Sequence, residues 1–340
     1  MREQDIRPAD ILATYLDLSR RDAETYFPDP GSLPSGDCPG CGAAHEKSIR
    51  LYEKFGFPVV ECSNCETMYV NPRPAAEQLD AFYRDSPSTE YWANTFFPLV
   101  AEARRELIFA PRARDVLAMT TAAIGTPRIV MDIGAGYGLF LSELRKLLPD
   151  ADLRAVEPGK SLADRCRAMG LPTFEGFAED AANDPGWSGK ADLVASFEVI
   201  EHLPDPLSFV STMRGLARPG GLVFLSGLCG DGFDIRVLGA RSNAVSPPHH
   251  LSFLSQKGVR ALLARAGLEC LSFQTPGKLD VDIVRGALQA DDTVVSDPKI
   301  RELVQGKDTN AKVAFQKKLV AECRSSHMWI LARRPDERAA

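Results

Sequence analysis

The chain has 340 residues, 44% of them hydrophobic and 25% charged, and a formal net charge of −6. That length accommodates one large core or two modest ones, and the composition is that of a soluble globular protein. The negative balance argues against a bulk binder of nucleic acid or of an anionic membrane, either of which needs a positive field. No apolar run approaches the ~18 residues of a spanning helix. The opening MREQDIRPAD is charged and lacks the apolar stretch of a secretory signal. The expected compartment is the cytoplasm, where the eight cysteines are thiols or metal ligands rather than disulfides.

Taken in order, residues 7–27 carry Ile11, Leu12, Tyr15, Leu16, Leu18 and Phe27 at roughly helical spacing, with Pro8 where a first turn tolerates it. An amphipathic helix and a linker therefore occupy 1–36. Next come Cys38 and Cys41 in CPGC, and Cys62 and Cys65 in CSNC. Each CxxC turn aims two thiolates at one point, and two such knuckles complete a tetrahedron. Residues 47–60 read as a hairpin that brings the knuckles together. A zinc ribbon over 37–70 is expected, its zinc structural because four cysteines leave no open position. Free or redox-active thiols are the alternative. Cys166, Cys229, Cys270 and Cys323 lie in apolar segments and read as small core residues.

Residues 75–84 and most of 91–124 follow helical patterns, with breaks expected at Pro98 and Pro111. From Arg128 onward, strands and helices alternate. Strands are expected at 129–132, 153–157, 172–174, 193–197, 222–226, 268–274 and 328–333. Helices are expected at 139–148, 160–169, 206–217 and 259–266. Such alternation demands a parallel sheet with right-handed crossovers. The fifty or so residues before the last strand are too many for a bare loop, and 279–288 and 311–324 look helical.

The stretch IVMDIGAGYGLF, residues 129–140, organises the chain. A strand ends in three alternating glycines, Gly134, Gly136 and Gly138, and a helix opens behind them. Glycine permits positive φ and lets a ligand rest on bare backbone, and the helix start offers unpaired N–H groups. This is a nucleotide or nucleoside corner at the carboxyl end of a strand. Glu157 closes the next strand, where an acidic group suits a ribose diol.

VMDIGAGYG, AVEP, ADLVASFEVIEHLPDP and LARPGGLVFLS, in that order, resemble the motifs of class I S-adenosylmethionine (AdoMet) methyltransferases with an N-terminal zinc ribbon. The resemblance implies a Rossmann-like seven-stranded α/β sheet with helices on both faces and a last strand antiparallel beside the fifth. It divides the chain into the ribbon, a helical lid at 71–127, an AdoMet-binding core at 128–274, a helical insertion at 275–326, and the last strand and tail at 327–340. Tyr83, Tyr91, Trp92 and Phe96 would line the lid. Gly134, Ala135, Gly136 and Gly138 would meet the methionine half of the cofactor, and Asp132 would orient that loop or the cofactor's amino group. Glu157 would take the ribose hydroxyls, Phe177 and Ala178 would flank the adenine, and Phe197 and Glu198 would lie near the sulfonium.

For a general base, histidine suits neutral pH. His202, in EVIEHLPDP, and His249 and His250, in SPPHHLSF, fall on the carboxyl edge of the sheet. His45 and His327 look badly placed. A loop-capping role is the alternative for each of the three. Arg236 and Arg241 are candidate anion contacts. The expected substrate is a small molecule, a sugar or natural-product intermediate, with oxygen, nitrogen and carbon acceptors all open. No nucleic-acid or membrane partner is expected, and a homodimer is compatible. Two further readings are an RNA-modifying enzyme gripping RNA by its ribbon and a non-catalytic adapter.

Overall fold

A computed structural model describes residues 2–336. Among them, the sheets contain eleven strands: β1 Ser48–Lys54, β2 Phe57–Cys62, β3 Met68–Val70, β4 Ile129–Ile133, β5 Asp152–Glu157, β6 Thr173–Glu175, β7 Ala191–Phe197, β8 Ala217–Leu228, β9 Ser252–Phe253, β10 Glu269–Gln274 and β11 His327–Arg333. The larger sheet has seven strands in the order β10-β11-β8-β7-β4-β5-β6. Strands β6, β5, β4, β7 and β8 pair in parallel, and β11 runs antiparallel between β8 and β10. The last strand lies antiparallel beside the fifth parallel strand, as the resemblance implied.

Alternate residues of each central strand feed two cores. Met131, Val194, Val223 and Ile330 face helices Pro206–Leu216 and Gln256–Arg265. Val130, Leu193, Leu222 and Leu331 face helices Ala110–Ile124 and Leu139–Leu147. A sheet buried on both faces reads as apolar runs rather than alternation, which is why the strands were visible in sequence.

Three expectations are corrected. The chain does not break at Pro98 or Pro111: each proline follows a wide π-turn, Trp92–Phe96 and Arg105–Phe109, inside a run that stays helical to Ile124. The widened turn absorbs the missing N–H and the ring clash that would otherwise kink it. The strand expected at 222–226 is longer, β8 Ala217–Leu228, and takes in Pro219-Gly220-Gly221 as an irregular stretch. Cys270 and Cys323 are only half-buried, whereas Cys166 and Cys229 are core residues.

The N-terminal helix is Ala9–Tyr26. Ala23 and Phe27 pack with Phe57, Leu79 and Phe82, tying it to the ribbon and to helix Ala76–Asp85. The smaller sheet, β1-β2-β3-β9, holds the ribbon hairpin, but its last strand comes from the core: Met68 pairs with Phe253 and Tyr69 with Ser252. The insertion carries three helices, Asp280–Ala290, Pro298–Gln305 and Thr309–Ala321. They bury Val281, Val284, Leu288, Val304 and Leu319 in a small core shared with Leu238. No helix among the described residues is long and apolar enough to cross a membrane.

Candidate active site

Strand β4 ends one residue before the glycine turn. Gly134, Gly136 and Gly138 all have positive φ, at 71°, 53° and 66°. A Cβ on Gly138 would lie 2.5 Å from Met169 Cε, and one on Gly134 would lie 2.9 Å from Val199, whereas one on Gly136 would meet nothing within 4 Å. Positive φ favours glycine at all three positions, Val199 further crowds a side chain at 134, and Gly136 leaves the rim of the turn bare. The Gly134 and Ala135 N–H groups bond to the Val156 carbonyl.

Glu157, at the tip of the adjacent strand, is 6% exposed. Its carboxylate accepts from Gly136 N–H at 2.7 Å and Gly159 N–H at 2.9 Å, so it clamps the two loops together. Burial raises its pKa, opposed by those two N–H groups. Asp132 is 2% exposed and its Oδ1 has no hydrogen-bond partner. Burial, with the charge of Glu157 added, raises its carboxyl well above the usual range. Phe177 stands half exposed at the start of helix Ala178–Asn183, with Ala178 buried behind it. Tyr137, inside the glycine turn, stacks on Phe97 at 4.2 Å and donates to the Ala93 carbonyl, which joins the turn to the overlying helices.

The end of β7 forms the second part. Phe197 packs against Phe140 and Phe224. Glu198 has a left-handed φ of 56°, strained for a side-chain-bearing residue. Its carboxylate accepts from Ser226 Oγ at 2.7 Å and from Arg112 at 3.0 Å, and His327 Nδ1 lies 3.2 Å away. Burial would raise its pKa, but the charges of His327 and Arg112 hold it well below the ordinary value. Arg112, 8% exposed, lies over the rings of Phe197, Phe109 and Trp329. Sequence reasoning missed Arg112 and set His327 aside. Neither carries a local signal, because strand β11 and a helix before β4 bring them in.

The histidines converge only in part. Glu201 and His202 sit on the turn Ile200–His202, and His250 comes from the segment leading into β9. The rings of His202 and His250 meet at 4.7 Å, nearly perpendicular. His249 points elsewhere: its Nε2 bonds Ser88 Oγ at 3.0 Å, and it lies among Tyr15, Phe82 and Tyr83. Burial lowers all three, His249 to about 3, His250 to about 4, and His202 well below the usual value, so all are neutral imidazoles near pH 7. Tyr15, Trp92 and Phe96 form an aromatic cluster beside His249, with Trp92 and Phe96 stacked at 4.5 Å. Tyr83 reaches His202. Arg236 and Arg241 do not face this region: they pair with Glu61 and Asp291.

In the ribbon, Cys38 and Cys65 Sγ are 3.4 Å apart and Cys41 and Cys62 Sγ 3.7 Å. All four sulfurs lie within 4.8 Å of one another. A tetrahedral ion with bonds of ~2.3 Å separates its sulfurs by about 3.8 Å, so the cluster suits zinc. Asn64 donates to Cys41 Sγ and Thr67 Oγ1 lies 3.3 Å from Cys65 Sγ, as outer partners of such a site do.

Sheet order, glycine turn and acidic strand tip are together those of the class I methyltransferase fold. The sequence profile of the methyltransferase-domain family matches residues 101–272, half of the chain, and the chain belongs to that family. It is similar to a ubiquinone biosynthesis O-methyltransferase of Methylococcus capsulatus, 34% identical over 106 residues, covering 30% of this chain and 44% of the relative. A protein of the same name from Xanthomonas campestris is 26% identical over 213 residues, covering 59% of this chain and 86% of the relative. The chain spans 44% and 62% of the lengths of two curated relatives, from Methylococcus capsulatus and Xanthomonas euvesicatoria. Among solved structures, a methyltransferase from Archaeoglobus fulgidus has a TM-score of 0.45 at 16% identity, covering 71% of this chain and 100% of that one. A plantazolicin methyltransferase in complex with SAH has a TM-score of 0.45 at 12% identity, covering 72% and 93%.

Proposed function

We propose that this enzyme methylates a small molecule, a sugar or natural-product intermediate, at the carboxyl edge of its large sheet. The observation that carries the reading is the unpartnered, buried Oδ1 of Asp132 beside the bare rim at Gly136. A buried carboxylate oxygen without a donor is costly, and an ammonium group laid along the glycine turn supplies one. AdoMet carries such a group, so the residues fit it. In this reading Asp132 holds the amino group, and the backbone at Gly134, Ala135, Gly136 and Gly138 receives the methionine half. Glu157, whose oxygens each retain a free lone pair, receives the ribose diol. Phe177 and Ala178 cover the adenine, and Phe197 and Glu198 border the sulfonium. When bound, AdoMet supplies an activated methyl for in-line displacement. The protein's part is to orient the acceptor and exclude water.

On the acceptor side we assign His202 and His250 to the substrate, and His249 to packing through Ser88. Tyr15, Tyr83, Trp92 and Phe96 form the apolar wall expected of a small-molecule site. The ribbon's cations favour this reading over an RNA grip. Arg50 pairs with Glu53, and Lys54 is turned inward onto the Ser242 carbonyl. The four cysteines hold one structural zinc in this reading. Calorimetry tests the cofactor assignment: AdoMet should bind with a stoichiometry near one, compete with S-adenosylhomocysteine, and bind at least 10-fold more weakly to Asp132→Asn. Unchanged affinity in that variant removes Asp132 from the site.

A further inference from the structure

The overlying helices bring to the acceptor edge a cation that no acid answers. Arg104 ends helix Phe97–Arg104, and its guanidinium lies 5.4 Å from the centre of the Phe97 ring, which stacks on Tyr137 of the glycine turn. Its Nε is buried without a hydrogen-bond partner, and no carboxylate pairs with it among the described residues. The charged groups that act on it are Arg7, Glu198 and Arg112. Glu198 is already taken by Arg112, Ser226 and His327. Glu201, on the turn after β7, is buried, and burial with the charge of Glu198 raises its carboxyl well above the usual range, which favours its uncharged form. Burial, with the like charge of Arg7 added, pushes Arg104 down to about 10, so it stays protonated at neutral pH.

A second arginine acts on the same edge. Arg7 follows the first helical turn, Glu3–Ile6. Ile6 is buried, the turn packs on helix Phe97–Arg104, and the Glu3 N–H donates to Asp282 of the insertion at 2.9 Å. Arg7 is therefore fixed from two sides. Its charge reaches Tyr15, His250 and Arg104. Its ion-pair partner among the described residues is Glu3 at 3.6 Å, beyond hydrogen-bond range. A cation held out of water without a counter-charge is costly. A bound anion removes that cost, and planar guanidinium forks suit carboxylate and phosphate.

Resting on the methyl-transfer reading, we propose that the acceptor carries a carboxylate or a phosphate, and that Arg104 and Arg7 hold this group beside His250. Arg112 stays with Glu198 and takes no part. Binding at a group remote from the reacting atom aims that atom at the methyl. An uncharged acceptor leaves Arg104 buried and unpaired, so the two arginines also select against neutral relatives of the substrate.

Calorimetry on the full chain saturated with S-adenosylhomocysteine tests the site, with pyrophosphate and benzoate as probes of the two anion classes. At least one probe should bind saturably, and about 10-fold more weakly in Arg104→Gln and in Arg7→Gln. Binding should be unchanged in Arg84→Gln, which alters an exposed arginine. Saturation by pyrophosphate points to a phosphorylated acceptor, and saturation by benzoate to a carboxylic acid. A separate AdoMet titration shows that each variant is folded, and its affinity should stay within about 3-fold of the parent. If neither probe saturates, or if both variants bind as the parent does, the anion site falls and the methyltransferase stands. An equal loss of AdoMet affinity in Arg104→Gln gives that arginine to the cofactor's own carboxylate and also overturns the proposal. Failure of the parent chain to bind AdoMet is a different result, and overturns the methyl-transfer reading itself.

Discussion

The cofactor corner and the acceptor edge are built in opposite ways. The corner draws on one βαβ unit, β4 to β5, and its contacts span about two dozen residues, as from Gly136 to Glu157. The acceptor edge is assembled from distant chain: Arg112 meets Glu198, His327 meets the same carboxylate, Tyr83 reaches His202, and Ser88 reaches His249. A fixed ligand is recognised by a local unit that the fold carries with it. The variable partner is recognised by whatever the rest of the chain brings to the same rim.

The sharpest way to break this comparison is through the ribbon, which is remote from the corner yet continuous with the acceptor edge. The double variant Cys38→Ser, Cys62→Ser should lose its zinc by metal analysis and unfold 37–70, seen as rapid proteolysis there. Structural zinc contributes on the order of 10 kcal/mol to small domains. Turnover should fall far more than AdoMet affinity, because β9 loses its pairing partner next to His250. Equal losses in both would show that the halves are not separable. Next in size, Glu157→Ala should weaken AdoMet about 100-fold by calorimetry, roughly 2.7 kcal/mol, since two N–H groups and a diol lose their acceptor. Arg112→Met removes one of the partners of the half-buried Glu198 carboxylate, which keeps Ser226 and His327, and should cost about 1–2 kcal/mol in denaturant unfolding.

The smallest effect concerns the seam with the insertion. Asp234 is buried, and desolvation with the nearby Asp280 raises its pKa to about 7. A carboxyl raised above its unfolded value of 3.8 holds its proton more tightly when folded, so stability falls as pH rises from about 4 to about 7. Asp234→Asn should flatten that slope and raise stability at pH 8, read from Tm against pH. An unchanged slope would remove Asp234 from the pH dependence.

The same contrast explains what was legible beforehand. DIGAGYG and the acid at 157 announce themselves because turn, strand tip and helix start are consecutive in sequence. CPGC and CSNC do so because each knuckle is a single turn. The strands themselves were visible as apolar runs, and the place of the last one came only from the resemblance. What could not be read was anything requiring a third element. Arg112 looks like a surface arginine until Phe197 and Trp329 close over it. His249 and His250 are adjacent in sequence, yet one faces Ser88 and the other His202, because the chain turns there, the His250 N–H bonding back to the Ser246 carbonyl. Glu201 and His202 are adjacent in sequence, but the ring that meets His202, that of His250, comes from a segment about fifty residues on.

Strand β9 adds a fourth rung to the ribbon's sheet only two residues after His250. The four-cysteine region is therefore not an exchangeable module. A chimera that swaps in a foreign 37–70 segment would need to bring the matching stretch from 244 to 255, or it would leave the acceptor pocket without its floor.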